Sequence, residues 1–362
     1  MGFLRFLLAL SVLAAHSGTL FGLNLLPGDM AVEAFFIISG FYMAMVLNEK
    51  YFATVNYYKL FITNRFLRIY PLYWIVLALI ITYYVADGYK TANYHNLQLY
   101  ISYWHRLNPL ALVYLIITNI AIIGQEFTLF FTVRDSGTIA FTTHFDTTKM
   151  PLFRFVFDSP LWSVSLELVF YLVSPFLVRL TNNKLLAISS TLLIARILSK
   201  FYGVTFDPFI YRLLPYQLIF FVLGILSYNL YRYLKAINSQ KLIGWVVLIY
   251  ISLFTAIYTS LPGTDNKAFI YLLTFALAMP FIFELSKQSK LDRFIGELSY
   301  PMYISHLLML DISERILHKY GINSRHLSLL GAALTIAFSI ALVQLISKRL
   351  ELYRAKRVVK AV

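Results

Sequence analysis

The chain has 362 residues, of which 59% are apolar and 13% are charged, and its mean hydropathy is +0.70. A soluble domain carries about 25% charged residues, so water is not the main solvent of this chain, and nucleic-acid-binding and fibrous proteins are excluded. The formal net charge of +14 lies mainly in loops between apolar segments and therefore reports membrane orientation. The chain has no Cys, which excludes disulfides, a thiol nucleophile and thiolate metal ligands.

Eleven apolar runs follow one another along the sequence, and most are long enough to cross a hydrocarbon core of about 30 Å as helices. The first run follows an almost absent basic region and leads to no small-residue cleavage pattern, so it predicts a retained helix. Together the runs predict an all-α polytopic membrane protein. They are residues 3–23, 30–47, 69–86, 110–123, 161–177, 185–198, 213–231, 243–261, 268–285, 301–317 and 327–346.

Basic residues between the runs indicate orientation, because cytoplasmic loops carry an excess of Lys and Arg. Counted this way, both termini are cytoplasmic, and the stretch 87–160 must begin and end outside. A single crossing by 110–123 would instead put the two ends of this stretch on opposite sides of the membrane. We therefore expect a re-entrant segment there, or a pair with a second short pass at 127–141, and about ten full crossings. The basic segments are 48–68, 232–242, 287–295 and the cytoplasmic tail 348–362.

The stretch 87–160 is a long polar insertion in what we otherwise predict to be one transmembrane domain over residues 1–362. It contains His95, His105 and His144 with several Asp and Thr. These side chains could shape an external acceptor site, whereas a solvated cap of loops would give them no such role.

Ionisable side chains in the first two runs are functional candidates, because a charge near the middle of a membrane helix costs roughly 2.5–3.5 kcal/mol on insertion scales. Arg5 and His16 are eleven residues apart, so they share one helix face about 16 Å apart. Arg5 should lie at the cytoplasmic surface, and His16 should be buried beyond the midplane. Glu33 matches the depth of His16 and could fix its tautomer, while Asp29 is a more solvated second acid. A snorkelling anchor at Arg5 and a structural hydrogen bond at His16 are the alternatives.

The third run opens with Arg65 and Arg68 at i,i+3 spacing, which places two guanidiniums on one face. Paired guanidiniums suit bidentate recognition of phosphate, although ordinary positive-inside anchoring would need no more than this. Tyr70, in the next turn, suits either an aromatic belt or stacking on a nucleotide.

Two further stripes carry hydroxyl, carboxyl and imidazole groups. Ser163, Glu167 and Tyr171 recur every four residues and should face the protein interior, since three such groups facing lipid would be costly. In the other stripe, Ser299 is expected to cap a helix that has Pro301 in its first turn, with Tyr303 and His306 along one face and His306 in the inner half. Hydrogen bonding between helices is the structural alternative for both stripes.

These segments, in this order, resemble the membrane-bound acyltransferase family 3, the O-acyltransferases that modify bacterial surface polysaccharides and nodulation factors. The resemblance rests on Arg5 followed after ten residues by His16, and on the motifs VEAFFIISGF, RFLRIYPLYW, LWSVSLELVFYL and GELSYPMYISHLL. It spans residues 3 to about 310. The chain departs from the family pattern at Gly28-Asp-Met-Ala-Val, where a Gly-rich run is usual, and at Leu350-Glu-Leu-Tyr, where a proline is usual.

The resemblance implies transfer of an acyl group, usually acetyl, from cytoplasmic acetyl-CoA to a sugar hydroxyl at the outer face of a bacterial inner membrane. The expected partners are acyl-CoA, a surface glycan or glycolipid acceptor and membrane lipid, with no nucleic acid, and the oligomeric state is left open. The histidines are dispersed, so no metal is expected. The resemblance and the stripes together give as candidate catalytic residues His16, Glu33, His306, Glu167 and Ser163, as donor-binding residues Arg5, Arg65, Arg68, Tyr70, Ser299 and Tyr303, and as acceptor-binding residues Trp162 and Asp29.

The hypothesis for the chemistry is direct transfer, with His16 as the general base oriented by Glu33 and with the arginines holding the CoA phosphates. His306 is the second candidate for the base, and an acyl-enzyme at His16 or Ser163 ranks lower. The rival classes are a transporter or channel that uses the intramembrane Arg, Glu and His as a relay, and a non-catalytic scaffold. The acceptor sugar, such as lipopolysaccharide O-antigen or capsule, cannot be derived from the sequence.

Overall fold

The computed structural model describes residues 1–204, 207–235, 240–263 and 266–359. Lys360 of the predicted tail and the centre of the predicted basic loop 232–242 lie outside these residues. The helices are α1 (Gly2–Ser17), α2 (Gly28–Val46), α3 (Tyr57–Thr91), α4 (Leu97–Tyr103), α5 (Pro109–Ala121), α6 (Trp162–Leu177), α7 (Asn182–Phe201), α8 (Phe209–Arg212), α9 (Leu214–Leu234), α10 (Gln240–Ile257), α11 (Lys267–Ser286), α12 (Lys290–Lys319), α13 (Leu327–Leu342) and α14 (Lys348–Val359). The strands are β1 (Phe131–Val133) and β2 (Ile139–Phe141).

The prediction of an all-α polytopic membrane protein is confirmed, with one short β-hairpin among the described residues as the exception. Within the described residues, seven helical stretches are long and apolar enough to span a membrane. They contain α2, α3, α6, α9, α10, α11 and α13. The other predicted crossings fall on the 16-residue α1 and on α7 and α12, which are helices as expected. The total of ten crossings stays a prediction.

The segment at 110–123 forms α5, whose 13 residues rise about 20 Å, too short to cross a hydrocarbon core of about 30 Å. This length agrees with a re-entrant segment. The alternative of a second short pass at 127–141 is wrong, because this stretch holds a 3-10 helix at Gln125–Phe130 and the β1–β2 hairpin. The hairpin turns at Gly137, where a φ of +78° favours glycine.

Side chains from α3 bind the end of α5. The last carbonyls of a helix have no partner within that helix, and here they accept hydrogen bonds from another one. The Tyr70 hydroxyl donates to the carbonyl of Ala121 at 2.6 Å, and the Trp74 indole donates to that of Ile120 at 3.0 Å. The Tyr73 hydroxyl donates to the carbonyl of Asn119. The end of this short helix is therefore anchored.

The described residues form two compact units that alternate along the chain. The first contains Met1–Arg68, Val173–Ser189 and Ile219–Val362, and the second contains Ile69–Leu172 and Ser190–Leu218. The insertion at 87–160 belongs entirely to the second unit. That unit has its own apolar core, which includes Tyr100, Leu115, Leu152 and Phe155.

In the first unit, α1 packs in parallel along α12. Gly2 and Gly296 allow this approach, since a Cβ on Gly2 would lie 1.6 Å from the Asp292 carbonyl oxygen. Small residues let helix backbones come this close. Further along, Ala9 packs with Leu298 and Met302 in one apolar cluster. The two helices therefore keep a fixed register over their shared length.

Two predicted helix boundaries differ from the structure. The first helix ends at Ser17 and not near Leu23, because Gly18 adopts φ +98°, a conformation that stops the helix. The tenth predicted crossing, α12, begins at Lys290, where the Ser289 side chain accepts a hydrogen bond from the Asp292 amide. The expectation that Ser299 caps this helix is therefore wrong.

Candidate functional site

Two histidines meet in the first unit. The rings of His16 on α1 and His306 on α12 have centroids 5.2 Å apart and planes at 42°. The sequence placed His16 beyond the membrane midplane and His306 in the inner half, and this difference in depth is wrong. The reason is the earlier start of α12, which puts His306 sixteen residues into its helix, close to the position of His16 in α1. The parallel packing then brings both rings to one level.

The two imidazoles have different environments. His306 is 1% exposed, whereas His16, in the last turn of α1, is exposed. The prediction that His16 is buried is therefore wrong, because α1 ends one residue later and leaves the ring at the helix terminus. A substrate from outside the protein can reach His16 more easily than His306.

One hydrogen bond defines the tautomer of His306. Its Nδ1 lies 2.7 Å from the Tyr303 carbonyl oxygen, which can only accept, so Nδ1 carries a proton. In the neutral ring the other nitrogen, Nε2, is then an unprotonated acceptor. This buried Nε2 has no hydrogen-bond partner among the residues that the structure describes. It is available to accept a hydrogen bond from a neighbouring group.

The two candidate acids lie on α2, whose start packs against the end of α1. A Cβ on Gly28 would lie 3.2 Å from the Cβ of Ala15, next to His16. Glu33 is 4% exposed, and both Glu33 and Asp29 act electrostatically on the Tyr258 hydroxyl. This agrees with the predicted shared depth of α1 and α2 here. The orientation of His16 by Glu33 stays a prediction.

A group of cationic side chains lies at the other end of α1. The Arg5 guanidinium lies 5.9 Å from the centroid of the Tyr42 ring, and the Tyr42 hydroxyl lies in the electric field of Arg5, Arg68 and Arg293, together with the Asp292 carboxylate. Arg65 is 6% exposed, and its guanidinium lies 5.3 Å from the centroid of the Phe61 ring. Arg5 and Arg68, which the sequence predicts as parts of one phosphate-binding group, thus both act on the same tyrosine hydroxyl. Tyr42 was not predicted, since its sequence position gives no charge signal.

The remaining predicted residues of this unit lie on α12. The Ser299 hydroxyl is buried and donates to the carbonyl of Gly296 at 2.8 Å. The ring of Tyr303 packs 6.0 Å from His306 and 6.2 Å from Phe35. Tyr303 therefore supports the imidazole pair through both its carbonyl and its ring, and a donor-binding role for it stays a prediction.

The second unit holds the other predicted stripe. Ser163 and Tyr171 are buried and Glu167 is half-buried, so the expectation that the stripe faces the interior is confirmed. The Tyr171 hydroxyl donates to Glu167 Oε1 at 2.5 Å, and the Ser163 hydroxyl donates to the Pro160 carbonyl at 3.0 Å. Trp162 has a cation stacked on it, since the Arg212 guanidinium lies 4.6 Å from its ring centroid.

Sequence reasoning missed a buried polar group in the second unit. Both polar atoms of the Gln125 side chain and Oε2 of Glu126 are buried without a hydrogen-bond partner among the described residues. Burial raises the pKa of Glu126 despite its hydrogen bond to Ser165, and burial raises the pKa of Asp158 well above its usual range. The signal in the sequence was a polar pair inside the apolar stretch from residue 110 to 131, the same signal that marked Glu33.

Comparisons with known proteins agree with these motifs. A family model described as an acyltransferase domain matches residues 1–344. The chain is 29% identical over 197 residues to "Putative acetyltransferase ORF330" of Acidianus two-tailed virus, which covers 51% of this chain and 55% of that protein. It is 30% identical over 127 residues to "Protein 2 in picA locus" of Rhizobium radiobacter, which covers 35% of this chain and 64% of that protein. The matches therefore span less than two thirds of either relative, and no solved structure matches.

Proposed function

The chain belongs to the acyltransferase domain family, and from this premise we propose that it is a multi-pass membrane O-acyltransferase. It moves an acetyl group from cytoplasmic acetyl-CoA to a hydroxyl of a cell-surface carbohydrate, such as lipopolysaccharide O-antigen or capsule, at the bacterial inner membrane. The family match favours this activity over a transporter or channel.

The observation that carries the proposal is the arrangement along α1. Arg5 lies in a cationic cluster, His16 lies beside His306, and a continuous helix separates the two ends by about 16 Å. CoA has charged phosphates and a long thin pantetheine arm that ends in the thioester. The cationic end suits the phosphates, and the imidazole end suits the reaction at the thioester.

In the transfer step, the acceptor hydroxyl gives its proton to an imidazole nitrogen, and the oxygen attacks the thioester carbonyl carbon. The carbon–sulfur bond then breaks, and the CoA thiolate leaves and takes the proton back from the imidazolium. His16 is the proposed base because it is exposed to an arriving acceptor. The neutral ring of His306, held by the Tyr303 carbonyl, packs against His16 and sets its position.

Because the chain has no Cys, the protein itself contributes no thiol to an assay that detects released CoA. Purified protein in detergent is mixed with acetyl-CoA and a thiol reagent, so that every thiol detected comes from released CoA. We expect slow release without an acceptor and faster release with a polysaccharide acceptor. We also expect thermal stabilisation by acetyl-CoA, which follows mass action and reaches about 2.7 kcal/mol at one hundred times the Kd. Neither stabilisation nor thiol release would contradict the proposal.

The acceptor is tested in cells. Surface glycans from cells with and without the gene are compared by mass, and we expect the loss of an acetyl increment. A glycan profile that does not change, from cells that contain the active protein, would contradict the carbohydrate acceptor.

A further inference from the structure

The helix α14 lies beyond the part of the chain that the family model matches, yet it is fixed to the start of α3. Arg357 Nη1 donates to Asn64 Oδ1 at 2.9 Å, and Arg357 Nη2 donates to Thr63 Oγ1 at 2.9 Å. Asn64 in turn donates to the Tyr51 hydroxyl at 3.0 Å. Because these bonds set the register between the two helices, they also set which side chains of α14 face the next turn of α3.

Arg354 lies one helical turn before Arg357, so the two side chains share one face of α14. Arg354 is half-buried, and its positive charge is repelled by Arg68 and Arg65. Its Nε is buried and has no hydrogen-bond partner among the described residues. The Arg354 guanidinium on α14 therefore lies within electrostatic range of Arg65 and Arg68 on α3.

The nearby carboxyls offset this charge only in part. Glu351 attracts Arg354 and Glu297 attracts Arg68 and Arg293, but the two carboxyls also repel each other. A cluster of like charges at partial burial is costly unless an anion joins it. Guanidiniums form forked hydrogen bonds that match the oxygens of a phosphate, and a phosphate monoester carries about −1.5 to −2 charge at pH 7.

We propose that Arg354 joins Arg65 and Arg68 to bind the 3′-phosphate monoester of the CoA donor. This rests on the proposed function and adds a donor-binding residue from a helix that the family match does not include. The shared chemistry is phosphate recognition, and a lipid phosphate is the other possible source. The 3′-phosphate is preferred because it is a dianion, whereas the phosphate of a phospholipid diester carries a single charge.

The test uses the full chain in nanodiscs of phosphatidylcholine, with acetyl-CoA and 3′-dephospho-acetyl-CoA as the two probes. We expect Arg354→Gln to weaken acetyl-CoA binding by about tenfold, the size of one lost charge-assisted contact. Binding of the dephospho probe should stay within about twofold, because the group that Arg354 contacts is missing. Arg354→Lys keeps the positive charge but cannot form two parallel hydrogen bonds to a phosphate, so it should weaken acetyl-CoA binding by less than Arg354→Gln does. If Arg354→Gln does not fold, Arg354→Lys takes its place in the comparison.

Lys356→Gln is the matched control, since it removes one positive charge from an exposed position of the same helix. It should bind both probes as the wild type does. Equal weakening of both probes by Arg354→Gln, or no weakening of either, would overturn the assignment. A second measurement tests for lipid, as the thermal stabilisation that added phosphatidylglycerol gives. If Arg354→Gln binds both probes normally but loses this stabilisation, the site binds lipid and the assignment to CoA is overturned. If the wild type itself binds no acetyl-CoA, the proposed function fails and the assignment fails with it.

Discussion

The two ends of α1 are built in opposite ways. At one end, Arg5 acts on the Tyr42 hydroxyl together with Arg68 of α3 and Arg293 of α12, and Asp292 balances part of this positive charge. At the other end, the ring of His16 packs closely against the ring of His306. Charge acts over several ångströms and is shared among many groups, whereas proton transfer needs one nitrogen in one place. Each single substitution at the cationic end should therefore weaken acetyl-CoA binding only in part, and substitutions at the imidazole end should stop turnover.

The largest effect is expected for His16→Ala. General-base catalysis contributes about 10²–10⁴-fold, so turnover at saturating acetyl-CoA should fall by that factor while donor binding is unchanged. CoA release and thermal stabilisation by acetyl-CoA measure the two quantities. His318→Ala, an exposed histidine on α12, is the control and should behave as the wild type does. An active, well-expressed His16→Ala variant would refute the assignment of the base.

The pH dependence of turnover distinguishes the two histidines. A general base must be neutral, so the wild-type rate should fall as the pH falls through its pKa. His16→Asn should lose this acidic limb along with most of the activity, whereas His306→Asn should lower the rate and keep the limb. If instead the limb disappears in His306→Asn and persists in His16→Asn, the base is His306.

A smaller effect is expected at the cationic end. Arg68→Gln should weaken acetyl-CoA binding by about tenfold and leave turnover at saturation within a few-fold, because the neighbouring arginines remain. Lys59→Gln, an exposed cation of the same helix, is the matched control. Higher salt should reduce the difference between Arg68→Gln and the wild type, since salt screens exposed charges. A loss of turnover without a loss of affinity would place Arg68 outside the phosphate site.

The smallest effect is expected in the second unit, at Glu126. Burial raises its pKa above the ordinary value of 4.5, so the folded protein retains a proton that the unfolded chain loses. The stability associated with this group is therefore fully present below pH 4.5 and is lost as the pH rises through the raised pKa. Glu126→Gln should raise the Tm by about 1–3 °C at pH 7 and leave it unchanged at pH 4.

Asp158 carries a shift of the same sign, so the wild type and Glu126→Gln should both lose stability as the pH rises. The difference between their Tm values isolates Glu126. Asp146→Asn, at an exposed carboxyl, should follow the wild-type profile. A difference that grows toward acid would show that the carboxylate is favoured by folding.

Much of the fold could be predicted from the sequence because apolar runs determine where membrane helices form. Every one of the eleven runs overlaps a helix. The orientation of the basic loops predicted that the run at 110–123 does not cross the membrane by itself, but it left open a second short pass that the structure does not contain at 127–141. The ends of helices were less predictable, because they depend on local groups. Gly18 ended α1 early, and Ser289 with Asp292 started α12 eleven residues before Pro301.

The sequence predicted part of the site's arrangement, the shared face of Arg5 and His16, but it did not predict that His306 lies beside His16. Arg5, His16, Glu33 and Arg68 could be found because charge in a membrane helix is conspicuous. The pairing of the two histidines depends on parallel packing of α1 along α12, which rests on Gly2 and Gly296, and no spacing in the sequence shows it. Arg354 was counted only as a basic residue of the tail, since its partners are almost three hundred residues away.

The most direct test of the account compares two substitutions on the one helix that joins both ends. The kcat and KM for acetyl-CoA are measured for Arg5→Gln and His16→Ala in the CoA release assay. We predict that Arg5→Gln raises KM and leaves kcat within a few-fold, and that His16→Ala lowers kcat by at least 10²-fold and leaves KM unchanged. If both substitutions change the same parameter, or if neither changes any, the division of α1 into a binding end and a chemical end is contradicted.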